Sequence, residues 1–293
     1  MNDWRQLYPF KSYEIMIRHL RMHYLDEGEG EVLLLLHGNP TWSFYWRNII
    51  SGLRDKYRLI VPDHIGCGFS EKPSRREYPF TLRRRVEDIL ELVEKLDLRN
   101  ITLLAHDWGG AIGMGAAVFR PERFSRFILC NTAAFRFPGC PGRIALCRIP
   151  VFGDVAVKGF NVFARAAIKM AVMKKERMDS VTRAGLLAPY DSWNHRLAVH
   201  EFVRDIPFRP GQRSYDTLVE IEHGLKKLNS RPVCLIWGND WCFTPKFMER
   251  FQEYFPVAEP HFFPDAGHYI VEDKYEQMIP IIDDFMQRFP LSV

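Results

Sequence analysis

No stretch of about 20 consecutive apolar residues occurs in this chain, so no membrane span is expected. The first residues, Met1-Asn2-Asp3-Trp4-Arg5, contain no apolar core of a secretory signal. None of the six cysteines (Cys67, Cys130, Cys140, Cys147, Cys234, Cys242) forms a C-x-x-C pair. Cys130 and Cys234 lie inside apolar runs, where a thiol packs as a small hydrophobe. The expectation is reduced thiols and a cytoplasmic location. The sequence carries no metal-ligand cluster and no glycine-rich phosphate loop before a Lys-Ser/Thr pair, so no metal and no cofactor are expected. A dominant charge sign is also lacking: 40 Lys and Arg stand against 36 Asp and Glu, a net of +4. The run Arg83-Arg84-Arg85 is interleaved with Glu87, Asp88, Glu91 and Glu94. It reads as a solvated helix face, not a nucleic-acid or lipid site. Internal repeats and low-complexity segments are absent.

What is there is enough for a large core: 47% of residues are hydrophobic and 14% aromatic. Strand-like runs alternate with helix-like runs. His19 to Asp26 and Glu31 to Leu36 read as an early strand pair. Tyr57–Pro62, Asn100–Ala105, Phe124–Cys130, Val233–Trp237 and Pro260–Phe263 follow, with helices near Tyr45–Leu53 and Tyr275–Phe289. This alternation predicts an α/β fold with a mostly parallel sheet and helices on both faces.

About a hundred residues without a strand separate Cys130 from Val233, far more than an ordinary connection needs. Helical stretches at Val155–Met173, Lys175–Arg183 and Ser192–Val203 predict an inserted helical cap, 136–211, over a core of 1–135 and 212–293. The cap would lie over the strand ends, where ligands bind in open α/β sheets. Its Phe, Met, Ile and Val residues pack it on the core, and some would line a tunnel for an apolar small molecule.

Four clusters at successive strand ends carry the chemistry. In the stretch Leu103 to Gly110 a buried strand stops at Asp107 and passes through Trp108-Gly109-Gly110 into a helix. That is the layout of the G-x-S-x-G nucleophile elbow, with a carboxylate where the serine would stand. Asp107 is therefore a candidate nucleophile, with N-capping of the helix as the plainer alternative. Trp108 offers an indole N–H that only donates. In His37-Gly38-Asn39-Pro40, the backbone N–H groups and the Asn39 side chain could stabilise an anion, unless this is an ordinary turn. Asp240, after the strand at Val233, could orient a histidine. His268, after the last strand, is the one histidine of ten so placed. His37 and His106 read as structural hydrogen-bonders. The order Asp107, Asp240, His268 matches nucleophile, acid and histidine in α/β-hydrolases.

With these motifs in hand, nearly the whole chain resembles the α/β-hydrolase superfamily, on its haloalkane dehalogenase branch. His37-Gly38-Asn39-Pro40-Thr41, Asp63-His64-Ile65-Gly66-Cys67-Gly68-Phe69-Ser70 and His106-Asp107-Trp108-Gly109-Gly110 carry that resemblance. It implies an Asp107-His268-Asp240 triad, with Asn39 and Trp108 holding a leaving anion. Four further segments resemble the β-lactone decarboxylases of bacterial long-chain olefin biosynthesis. They are Asn131-Thr132-Ala133-Ala134-Phe135, Ala188-Pro189-Tyr190-Asp191-Ser192-Trp193, Asp205-Ile206-Pro207, and Ala266 to Lys274. One departure is a loop after Trp237-Gly238 that is one residue shorter than the usual spacing to the acid.

A carboxylate that attacks saturated carbon must expel an anion. A β-lactone carboxylate and a halide both qualify. The resemblance implies opening and decarboxylation of a cis-3-alkyl-4-alkyl β-lactone to an alkene and CO2. It also implies a place after a β-lactone synthetase, in an assembly with other olefin-biosynthesis enzymes. The alternative is haloalkane hydrolysis through an alkyl-enzyme ester, with His268 activating water. An epoxide hydrolase would need phenolic donors, for which Tyr190 and Tyr215 are the candidates. A non-catalytic small-molecule receptor is the reading outside enzymes.

Overall fold

The computed structural model describes residues 3–137, 139, 142–149 and 151–291, apart from the Arg143 side chain. Eight strands form one sheet in the order β1-β2-β4-β3-β5-β6-β7-β8. They are β1 (Ser12–Ile17), β2 (Leu20–Glu27), β3 (Val32–Leu36), β4 (Arg58–Pro62), β5 (Ile101–Asp107), β6 (Phe124–Thr132), β7 (Val233–Gly238) and β8 (Glu259–Phe263). From β4 onward across the sheet all pairings are parallel, whereas β1–β2 and β2–β4 are antiparallel. β3 and β5 are buried along nearly their whole length, as strands covered by helices on both faces must be.

The expected early pair of His19–Asp26 with Glu31–Leu36 does not form. The first of these pairs with β1 on one side and β4 on the other, and the second lies between β4 and β5. β1 escaped notice because it is an edge strand, mostly exposed and with little apolar alternation.

Around the sheet stand α1 (Arg47–Leu53), α2 (Leu82–Lys95) and α3 (Trp108–Phe119). Between β6 and β7 lie α4 (Gly142–Cys147), α5 (Val162–Met170), α6 (Ser180–Leu187), α7 (Leu197–Asp205) and α8 (Tyr215–Gly224). After β7 come α9 (Pro245–Tyr254) and α10 (Ile270–Arg288). No strand occurs between β6 and β7 among the described residues. The helix expected over Val155–Met173 is two pieces, a π-helical segment Asp154–Gly159 and then α5. Asn161, between them, has φ +54°, a left-handed conformation that cannot continue a right-handed helix. Lys175–Arg183 divides likewise into a 3-10 turn, Lys175–Arg177, and α6, whose start is capped by Asp179 Oδ1 accepting from Thr182 N at 2.7 Å. No helix is long and apolar enough to cross a membrane among the described residues.

The arginine run is not a solvated face. Arg84 and Arg85 are buried, and Arg83 alone reaches solvent to pair with Glu220. Arg85 lies 3.7 Å from the Phe202 ring centre and 3.2 Å from Asp205, which also accepts from Ser214 at 2.7 Å and Arg213 at 2.9 Å. This ionic cluster ties α2 to α7. Its partners stand 120 residues apart in sequence, so no local pattern announces it.

Candidate active site

The elbow is built from backbone and glycine. Asp107 ends β5 at φ +53° and ψ −126°, a strained conformation that turns its side chain out of the sheet. A Cβ on Gly109 would land on the carbonyl oxygen of Leu36, and one on Gly110 on the Thr132 side chain. Only glycines let α3 approach β3 and β6 this closely. Asp107 makes no side-chain capping bond to α3, which removes the plainer reading of its carboxylate.

Asp107 Oδ1 accepts from the backbone N–H of Asn39 at 2.7 Å, and the Trp108 backbone N–H also favours its ionised form. Asp107 Oδ2 lies 3.5 Å from His268 Nε2. On the other side of the imidazole, His268 Nδ1 donates to Asp240 Oδ2 at 2.7 Å. Asp240 Oδ1 accepts from Cys242 N at 2.7 Å, which fixes the carboxylate in its loop. The one-residue-shorter loop therefore reaches the histidine directly.

Asn39 and Trp108 line the cavity beside Asp107. One side-chain N–H of Asn39 donates to the carbonyl of Val199 on α7 at 3.1 Å, leaving the second N–H of that amide for a ligand. His37 and His106 are structural, as expected. His37 accepts from His64 N at 3.0 Å, and His106 Nε2 donates to the His268 carbonyl at 2.8 Å. Burial holds both imidazoles below their ordinary range, hence neutral.

Two positioning residues were not singled out as such by the sequence. The Asn131 side chain donates to the carbonyls of Gly267 at 2.9 Å and His268 at 3.3 Å, and accepts from Gly238 N at 2.8 Å. Asp273 accepts from the backbone N–H groups of Gly267 at 2.7 Å, Met173 at 3.0 Å and Lys174 at 2.8 Å. A buried polar residue at a strand end beside the elbow was the available signal for Asn131. For Asp273 there was none.

The cavity has two lobes that share Asn39, Asp107, Ile144, Phe163 and Cys242. One lies beneath Phe135, Phe137, Val203, Phe208 and Leu218. The other runs along Val162, Ala166, Met170, Ala171 and Trp241. No tyrosine lines either lobe among the described residues; the Tyr190 hydroxyl donates instead to the Thr41 carbonyl at 3.1 Å. No group of His, Cys, Asp and Glu among the described residues is arranged to hold a metal ion.

Burial raises the Asp107 carboxyl above its ordinary range, against the pull of His268 and the two backbone donors. Burial lowers His268, but Asp240 and then Asp107 outweigh it, so its imidazole titrates above the ordinary histidine range. A reaction that needs ionised Asp107 is lost as pH falls through that raised carboxyl value. One that also needs neutral His268 as base fails earlier, already above about pH 6.5. As pH falls, we expect haloalkane hydrolysis, which needs neutral His268, to decline at a higher pH than lactone turnover, which needs only ionised Asp107. A pH profile of kcat/KM for each substrate checks this.

An aspartate elbow at the end of β5 and a histidine-acid pair beyond β8 and β7, in a mostly parallel sheet, form an α/β-hydrolase type of site. The chain belongs to the alpha/beta hydrolase fold family, whose pattern it matches over residues 31–275. Within that family it is 42% identical over 285 residues to the cis-3-alkyl-4-alkyloxetan-2-one decarboxylase of Shewanella oneidensis, covering 96% of this chain and 89% of the relative. It is 32% identical over 290 residues to haloalkane dehalogenase 2 of Mycobacterium tuberculosis, covering 94% and 95%. The crystal structure of a haloalkane dehalogenase from Agrobacterium tumefaciens superposes with a TM-score of 0.83 at 25% identity, covering 95% of this chain and 96% of that one.

Proposed function

We propose that this enzyme opens a cis-3-alkyl-4-alkyl β-lactone (an oxetan-2-one) and decarboxylates it to an alkene. The observation that carries this reading is the pair of apolar lobes that meet at Asp107 and Asn39. A dialkyl lactone has two chains to bury on either side of its reacting ring, whereas a simple haloalkane has one. The similarity to the Shewanella decarboxylase supports the same substrate class.

In the first step Asp107 Oδ2 attacks C4 of the lactone. The C4–O bond breaks and its electrons stay on the ring carboxylate, leaving an alkyl ester on Asp107. Ring strain assists, and the free N–H of Asn39 with the indole of Trp108 receives the new carboxylate. In the second step the C3–carboxylate bond breaks to give CO2. Its electrons form the C3=C4 double bond, and the C4–O bond to Asp107 breaks, restoring the carboxylate. No water enters. His268, held by Asp240, takes no proton in this route; its part as a base arises only if water is to open the ester. Residues 136–211 act as a cap that keeps water from the ester, over a core of 1–135 and 212–293. We place the enzyme in the cytoplasm, where the free thiols of Cys67, Cys130, Cys147 and Cys234 stay reduced. It follows a reaction that closes β-lactones, in an assembly with the other enzymes of olefin formation.

The second reading is haloalkane hydrolysis, favoured by one observation: His268 Nε2 lies 3.5 Å from Asp107 Oδ2, a distance that suits a base for water attacking an Asp107 ester. The test offers the protein a cis-3,4-dialkyl β-lactone and, separately, 1-bromobutane. We expect alkene and CO2 from the first; bromide from the second with no alkene from the first overturns the proposal. His268→Ala adds a discriminating readout by mass spectrometry. A dehalogenase would accumulate an alkyl adduct on Asp107, while the lactone route releases alkene and leaves little adduct.

A further inference from the structure

The outward side of the cap differs from the rest of the molecule. Residues 151–175 contain Lys158, Arg165, Lys169, Lys174 and Lys175 against one carboxylate, Asp154. Their net charge, +4, equals that of the whole chain, so all other residues together sum to zero. Lys158 is held by Asp154 at 2.6 Å, whereas the other four cations form no ion pair with a carboxylate among the described residues. The same stretch exposes large apolar side chains: Val151 is 74% exposed, Phe152 56% and Phe160 69%. On α5 both kinds share a face. Val162, Arg165 and Lys169 recur at the spacing of one helix side and are exposed, while Ala164 and Ile168 are buried. Val162 and Met170 also line the second lobe of the cavity, so this face continues into the mouth of the site.

We propose that this face docks on an anionic lipid bilayer, with Phe152 and Phe160 inserted among the acyl chains and Arg165, Lys169, Lys174 and Lys175 against the headgroups. Exposed large apolar side chains and cations without a carboxylate ion pair, together in one stretch of chain, are the composition of interfacial segments. An anionic leaflet supplies the missing counter-charge. A second copy of this chain does not, because a two-fold contact would set this cationic face against itself. Docking brings the second lobe to the phase in which a dialkyl substrate dissolves. That last point rests on the proposed reaction; the docking does not.

Vesicle sedimentation tests it, with phosphatidylglycerol–phosphatidylcholine vesicles and with phosphatidylcholine alone. The protein is expected to bind the anionic vesicles, to release as salt rises, and to leave phosphatidylcholine unbound. Arg165→Gln/Lys169→Gln/Lys174→Gln is expected to weaken partitioning on the order of 100-fold. Phe152→Ser/Phe160→Ser should also lose the vesicles, with thermal unfolding and turnover of a short-chain, water-soluble lactone unchanged. Absence of binding, equal binding to both vesicle types, or variants that bind as the parent does would overturn the proposal. So would a dimer in solution that Phe152→Ser/Phe160→Ser dissociates. Binding without lactone turnover would leave the docking standing and remove the reaction; turnover without binding would do the reverse.

Discussion

Asp107→Asn is expected to abolish alkene release, by at least about 10⁴-fold in kcat, with the fold intact. Asparagine suits this position better than alanine does. It has the shape of aspartate, and its Oδ1 still accepts from the Asn39 backbone. What it cannot do is form the ester. Stability should stay level or rise. Burial raises the Asp107 carboxyl, so the folded state is penalised for holding it ionised above the unfolded carboxyl range, and a neutral amide removes that penalty. A site that sacrifices stability for chemistry is the usual arrangement. Product analysis by gas chromatography, with a thermal melt beside it, reads both effects. Retention of more than about a hundredth of the parent rate would show that the carboxylate is not the nucleophile.

Glu272→Ala should unfold the protein more readily than most single changes. Arg47 and Glu272 form a buried, two-bond pair at 2.6 and 2.7 Å between α1 and the first turn of α10. Removing one partner strands a buried guanidinium whose remaining hydrogen bond among the described residues is to the Phe44 carbonyl, at 3.2 Å, beside the Phe44 ring. The expected cost is about 3–5 kcal/mol, against a total stability of roughly 5–15 kcal/mol. Glu272 follows His268 by four residues, so the histidine loop loosens with it and activity fails at lower temperature than in the parent. Denaturant unfolding measures the loss. The double change Arg47→Met/Glu272→Leu should recover much of it, because no charge is then left buried and unpaired. A single-variant loss below about 1 kcal/mol would contradict this account.

The contrast between these two residues explains what the sequence makes legible. Asp107 is visible because its signal is local: an apolar strand, one acid, two glycines and a helix lie in consecutive positions. Asp240 and His268 are visible because strand ends can be found by hydrophobic runs, and because their order along the chain carries meaning. Arg85, Glu272 and Asp273 are invisible for the opposite reason. Each is a charged residue whose partners lie on other elements, so composition alone assigns it to solvent. Arg47 and Glu272 stand 225 residues apart, and nothing at either position hints at the other. The helices of the cap are legible in the sequence, and the break at Asn161 rests on a residue type that intrinsically favours the left-handed conformation, a weaker signal than proline or glycine.

The Asn131 side chain has a consequence for how the site keeps its dimensions. In a twisted sheet, small angular differences add from strand to strand, and groups at distant strand ends would drift relative to one another. Here one amide at the end of β6 bonds the end of β7, just before Asp240, and both carbonyls at the head of the histidine loop. Its neighbour Thr132 bonds the Asp107 carbonyl. The spacing of nucleophile, acid and histidine is thereby gauged from a single rigid plane, like three arms set on one hub.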